Sequence, residues 1–143
     1  MILLDTNVLG RMTDSADPHC AASRKAIRVL LASGEQLAML PQNLYEFWAI
    51  ATRAPAVNGL GMTINQASQW LGYFQRRFIL LPDRDDLVRR WHDLVKSLSI
   101  SGFPAHDARL VAAMQCYGIS RLLTFNSHDF KDLPVTVVDP DSV

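Results

Sequence analysis

The chain begins Met1-Ile2-Leu3-Leu4-Asp5-Thr6-Asn7, a short apolar run that ends at once in a carboxylate flanked by a hydroxyl and an amide. So short a run with no polar alternation reads as a strand covered on both faces, the pattern of a parallel sheet. Similar runs follow at Leu37 to Leu40, Leu122 to Phe125 and Val135 to Val138, and Ile79 to Leu81 offers a fifth.

Longer segments with helical spacing separate these runs. Asp17-Pro18 reads as an N-cap and first-turn proline, opening a helix that runs to about Ser33-Gly34. From about Asn43 to Arg53, Leu44, Phe47, Trp48 and Ala51 share a face. A helix from about Asn65 brings together Ala67, Trp70, Leu71, Phe74 and Phe78. The clearest stripe is Leu87, Val88, Trp91, Leu94, Val95 and Leu98, and a last helix, Pro104 to about Tyr117, stops at Gly118 and buries Leu110, Val111 and Met114. Parallel neighbours need a crossover and a helix supplies it, so the fold class expected is α/β, a three-layer α/β/α sandwich around a mainly parallel sheet. Trp48, Trp70 and Trp91, in register with aliphatic neighbours, are expected to anchor the core rather than to stack on bases. The stretch from Ala56 to Thr63, with Asn58-Gly59 and Gly61, reads as an exposed loop.

At 143 residues the chain has the size of one domain, spanning 1–143, and 49 % hydrophobic with 20 % charged residues is an ordinary globular composition. No apolar run approaches the roughly 20 residues needed to cross a bilayer, and nothing reads as a signal peptide. A soluble, cytoplasmic protein without membrane association is expected. Fourteen Lys and Arg balance fourteen Asp and Glu, which argues against nucleic-acid binding driven by total charge. The clusters Arg24-Lys25-Arg28, Arg76-Arg77 and Arg89-Arg90 read as solvated helix faces. Cys20 and Cys116 stand alone, without the spacing of a metal knuckle or redox pair.

Ligand sites in open α/β sheets lie beyond the carboxyl ends of the strands. Asp5 follows the first strand, Glu46 falls in the first turn of the helix after the second, Asp107 lies near the start of the last helix, and Asn126 and Asp129 follow the strand ending at Phe125. Each also has a plain reading. Asp5 or Thr6 could cap the next turn, Asn43 with Glu46 and Asn126 with Asp129 have capping-box spacing, and Asp107 could complement a helix dipole. Four such positions at one sheet edge would repel one another unless a cation neutralised them. Oxygen donors without paired cysteines or spaced histidines suit Mg²⁺ or Mn²⁺ rather than zinc. A mixed set including His106 or His128 stays open.

These motifs match a known pattern. Asp5-Thr6-Asn7, Tyr45-Glu46-Phe47, Asp107-Ala108-Arg109 running into Leu110-Val111-Ala112-Ala113, and Thr124-Phe125-Asn126-Ser127-His128-Asp129-Phe130 together resemble the PIN domain, most closely the VapC-type toxins of bacterial and archaeal toxin–antitoxin pairs. The likeness covers nearly the whole chain. It implies that Asp5, Glu46, Asp107 and Asp129 bind Mg²⁺ or Mn²⁺ and carry catalysis, with Thr6, Thr124 and Asn126 as polar supports. It further implies an endoribonuclease acting on RNA, a cognate antitoxin as partner, and a homodimer. Asn126 departs from the pattern, standing where many relatives carry an acid, which leaves open whether one ion or two would bind. Two other readings compete: a PIN-like module that binds RNA or protein without cutting, and a metal-dependent phosphatase with Asp5 as nucleophile. The second is weakened by Asn7, which occupies the place where such enzymes carry a second acid.

Overall fold

The computed structural model describes residues 1–143. Five short parallel strands form one sheet in the order β3-β2-β1-β4-β5, where β1 is Ile2–Leu4, β2 Leu37–Met39, β3 Ile79–Leu80, β4 Arg121–Leu123 and β5 Thr136–Val138. Register is set at the centre: Leu3 of β1 lies opposite Ala38 on one side and Leu122 on the other. Ile2, Leu3 and Leu4 have no exposed surface, as a central strand between two helical layers requires.

Alternation along the strands divides the interior in two. Ile2, Leu4, Leu37, Met39 and Leu123 face one core, closed by α1 (Thr6–Thr13), α2 (Cys20–Ala32), α3 (Pro41–Thr52) and α4 (Ile64–Arg77). Leu3, Ala38, Leu40 and Leu122 face the other, closed by α5 (Leu87–Ser97) and α6 (Pro104–Cys116). The three-layer parallel α/β architecture is therefore present.

Local signals set two of the helix boundaries clearly. Thr63 and Gln66 exchange reciprocal capping hydrogen bonds of 3.1 and 2.9 Å at the start of α4. Gly118 ends α6 at φ +66°, a left-handed conformation that suits glycine, while the amides of Gly118 and Ile119 bond back to the carbonyls of Gln115 and Met114 in a Schellman arrangement. The Trp91 indole donates to the Ala105 carbonyl at 2.9 Å, tying α5 to α6.

Several expectations need correction. α1 was not anticipated: its eight residues include a mid-helix glycine, Gly10, which lowers helix propensity, although Val8, Leu9 and Met12 bury a continuous stripe. α2 begins at Cys20 rather than at Asp17-Pro18, because the Asp17 carboxylate accepts the His19 amide at 2.7 Å and its carbonyl accepts the Cys20 amide, so a turn takes up the expected first helical positions. α3 starts at Pro41, which moves Glu46 from the first turn to the second. On α5, Val88 is 72 % exposed instead of lying in the apolar seam. The three tryptophans pack against the two cores but are only partly buried.

Candidate functional site

In this strand order the chain's connections run one way from β1 and the other way from β4, so the topological switch point lies between these two strands. Binding crevices in open α/β sheets form there. Asp5 leaves the end of β1 and Thr124 the end of β4, and the Thr124 hydroxyl donates to Asp5 Oδ2 at 2.6 Å. The Asn7 amide, one helical step into α1, donates to the same oxygen at 2.8 Å and to the Thr124 hydroxyl at 2.9 Å. The Thr124 hydroxyl also accepts the Asn126 backbone amide at 3.0 Å, fixing the start of the segment that carries Asp129.

Glu46 is held by a second cluster. Thr6 donates to its Oε2 at 2.6 Å and Gln42 to its Oε1 at 2.8 Å. The Asn43 amide supports Thr6 at 3.2 Å, while its carbonyl oxygen accepts the Leu40 amide at 2.7 Å. The capping reading of Asn43 and Glu46 is thereby overturned: Asn43 caps backward onto Leu40, and Glu46 meets only side chains. Asn126 precedes the 3-10 turn Ser127–Phe130 but makes no side-chain cap there, so that plain reading fails as well.

Asp5, Glu46, Asp107 and Asp129 line a single open cavity of about 410 Å³, together with Thr6, Asn126 and Arg53. The acids sense one another. Burial raises the Asp5 carboxyl from 3.8 to about 6; the Thr124 hydroxyl and Thr6 amide oppose the rise, and the charges of Glu46 and Asp107 add to it. Asp107, half-buried in the first turn of α6, is also raised, by burial first and then by Asp129 and Glu46, with His106 opposing. None of the four acids has an ion-pair partner. Arg53, the cation lining the cavity, instead donates to the Asn58 carbonyl at 3.1 Å.

One expectation is met only in part. The four acids share a cavity, yet no three acidic, histidine or cysteine side chains converge closely enough to hold an ion as they stand. Asp5 Oδ2 and both oxygens of Glu46 are instead hydrogen-bonded to protein donors. His106 and His128 do not complete a mixed set either. The donors nonetheless suit a hard divalent cation: they are all oxygens, none is ion-paired, and two resist ionisation chiefly because of burial, with the neighbouring acids adding to it.

A larger cavity, about 650 Å³, lies between α2 and α4, where Arg24, Arg28 and Arg77 join Trp70 and Tyr73. The basic clusters read from sequence as solvated faces thus contribute to a shared groove. It contains no acid, so its size does not make it the chemical centre.

Known structures resemble this chain over nearly its whole length at low sequence identity. VapBC2 from Rickettsia felis, bound to a DNA fragment from its promoter, superposes with a TM-score of 0.75 at 18 % identity, covering 97 % of this chain and 98 % of that chain. VapC20 of Mycobacterium tuberculosis, described as a sarcin-ricin loop cleaving toxin, gives 0.70 at 18 % identity, with coverage of 94 % and 97 %. The fold is that of the VapC-type PIN domains. A toxin–antitoxin complex from Klebsiella pneumoniae gives 0.66 at 21 % identity, covering 98 % of both chains. No protein-family model matches the sequence, and no curated protein does. The likeness to the VapC-type PIN domains is thus one of backbone architecture at low identity.

Sequence reasoning named the four acids and their hydroxyl supports but passed over Gln42, Asn7 and Arg53. Asn7 stood in the opening motif, and Gln42 lies one helical turn before Glu46, a spacing at which helix side chains meet.

Proposed function

We propose that this protein is a divalent-metal-dependent endoribonuclease and the toxin of a VapBC-type toxin–antitoxin pair. The observation that carries the reading is the cavity at the β1/β4 switch point, where four carboxylates from separate elements gather without a cationic partner. The PIN fold supports it, since one structural neighbour is described as a toxin that cleaves the sarcin-ricin loop.

Asp5 and Asp107 would be the chief holders of Mg²⁺ or Mn²⁺, with Glu46 and Asp129 completing the acidic surround. Bound there, the ion would supply Lewis acidity and an activated water for attack on a phosphodiester. The chain's own residues orient the acids: Thr124 and Asn7 aim Asp5, while Thr6 and Gln42 aim Glu46. Arg53, on the same cavity, is placed to meet the RNA backbone. Displacement by water would leave a 5′-phosphate and a 3′-hydroxyl. The phosphatase reading gains nothing from Asn7, which serves Asp5 as a hydrogen-bond donor.

The same reading includes action in the cytoplasm, a cognate antitoxin covering the acidic cavity, and a homodimer. No helix is long and apolar enough to cross a membrane. Light scattering after gel filtration tests the dimer. The main test is incubation of purified protein with structured RNA and Mg²⁺ or Mn²⁺, with Asp107→Asn as control. Metal-dependent cleavage, lost in the folded variant, is expected; equal cleavage by Asp107→Asn would refute the assignment.

A further inference from the structure

Glu46 and Asp107 reach the cavity from opposite faces of the sheet, because α3 packs in one core and α6 in the other. Something must set the distance between them. The hydrogen bonds that join these two helices all pass through Gln42. Its amide nitrogen donates to Glu46 Oε1 at 2.8 Å and to the His106 carbonyl of α6 at 3.2 Å. With both donations made by the nitrogen, the amide oxygen can only accept. It does so from Arg109 Nη1 at 2.7 Å.

Arg109 also sits on α6, two residues beyond Asp107, and its other terminal nitrogen donates to Asp83 Oδ2 at 2.7 Å. The guanidinium fork spans two acceptors in fixed geometry, which a lysine could not do. The result is a continuous path from Asp83, beyond β3, through Arg109 and Gln42 to Glu46 and on to Thr6 beside Asp5. Gln42 is 9 % exposed, so its amide has little water to turn to if a partner is lost.

We propose that Gln42, locked by Arg109, is the positioning residue that registers Glu46 against Asp107 and so sets the affinity and geometry of the acidic site for a divalent ion. The assignment rests on the metal-dependent nuclease reading. Neither residue touches the reacting atoms; both act through Glu46. Partners of metal ligands that fix ligand orientation typically govern affinity or activity by about 10- to 100-fold.

The test uses the full chain and Mn²⁺ itself, titrated by calorimetry, beside cleavage kinetics on one RNA. Gln42→Met keeps the length of the side chain and removes its polar end; Arg109→Met removes the fork and serves independently if the first variant folds poorly. Each is expected to weaken Mn²⁺ binding about 10-fold or more and to lower kcat, with KM for RNA within about twofold because the RNA contacts are untouched. Both act along one path, so the double variant should bind Mn²⁺ no worse than Gln42→Met alone. A folded Gln42→Met protein that binds Mn²⁺ as the wild type does, or losses that multiply in the double variant, would overturn this assignment and leave the nuclease reading standing. A wild type that binds no Mn²⁺ and cuts no RNA would overturn both.

Discussion

Asp5 is a carboxylate that the fold makes expensive to ionise, and replacing it should therefore stabilise the protein while disabling it. The folded chain holds the Asp5 proton up to about 6 against 3.8 for an ordinary aspartate, chiefly through burial. Between those values the folded state binds more protons than the unfolded state. Wild-type stability contributed by this group is thus complete below about pH 4, falls as the pH rises through about 6, and stays low above it. The linkage relation gives a cost of about 1 kcal/mol at pH 4.5 and about 3 kcal/mol at pH 8. Asp5→Asn has no such dependence, and its side-chain oxygen can still accept from Thr124 and Asn7. Any constant loss, such as a poorer contact with the Thr6 amide, cancels when two pH values are compared. Thermal melts in EDTA should show the difference in Tm, variant minus wild type, rising by about 4 to 8 °C between pH 4.5 and pH 8, at about 2 to 4 °C per kcal/mol for a chain near this size. The same variant should gain nothing from added Mg²⁺, whereas the wild type should be stabilised. A Tm difference that is flat with pH, or that falls as pH rises, would refute the claim that desolvation outweighs the hydrogen bonds at Asp5.

Two further substitutions probe other links. Thr6→Val removes the donor to Glu46 Oε2 and the acceptor of Asn43; it should cost about 1 to 3 kcal/mol in urea unfolding and reduce metal-dependent cleavage at least about tenfold. Gly118→Ala meets no atom within 4 Å, so its penalty is confined to the backbone at φ +66°; a loss of about 1 kcal/mol with unchanged cleavage is expected from melts and assays run together.

Much of the architecture was legible because it rests on short-range signals. Runs such as Ile2–Leu4 and Leu37–Met39 announce strands buried on both faces, and reading them as parallel puts Asp5, Glu46 and Asp107 at the same edge from the sequence alone. Where propensity and packing disagree, the sequence misleads: α1 forms around Gly10 because burial of Val8, Leu9 and Met12 outweighs a weak helix former. Val88 fits the helical period yet is exposed, while Leu87, Trp91, Leu94 and Val95 of the same helix pack into the core. The orientation of the acids is legible only in part: the resemblance points to Thr6 and Thr124 as supports, but nothing in the spacing joins Gln42 to Arg109. It depends on partners such as Thr124 for Asp5 and Gln42 with Arg109 for Glu46, joined across separations of 119 and 67 residues that periodicity does not report. Nor does spacing reveal that Glu46 is bonded by Thr6 and Gln42, or that the four acids share a cavity without forming a closed ligand set.

The most direct test of the whole account is diffraction from crystals grown in Mn²⁺, with data collected at a wavelength where the metal scatters anomalously. The account predicts a peak in the cavity bounded by Asp5 and Asp107, with both carboxylates turned toward it, and no such peak in Asp5→Asn crystals grown alike. An empty cavity at saturating Mn²⁺, or an ion bound elsewhere with Asp5 and Asp107 unmoved, would contradict it.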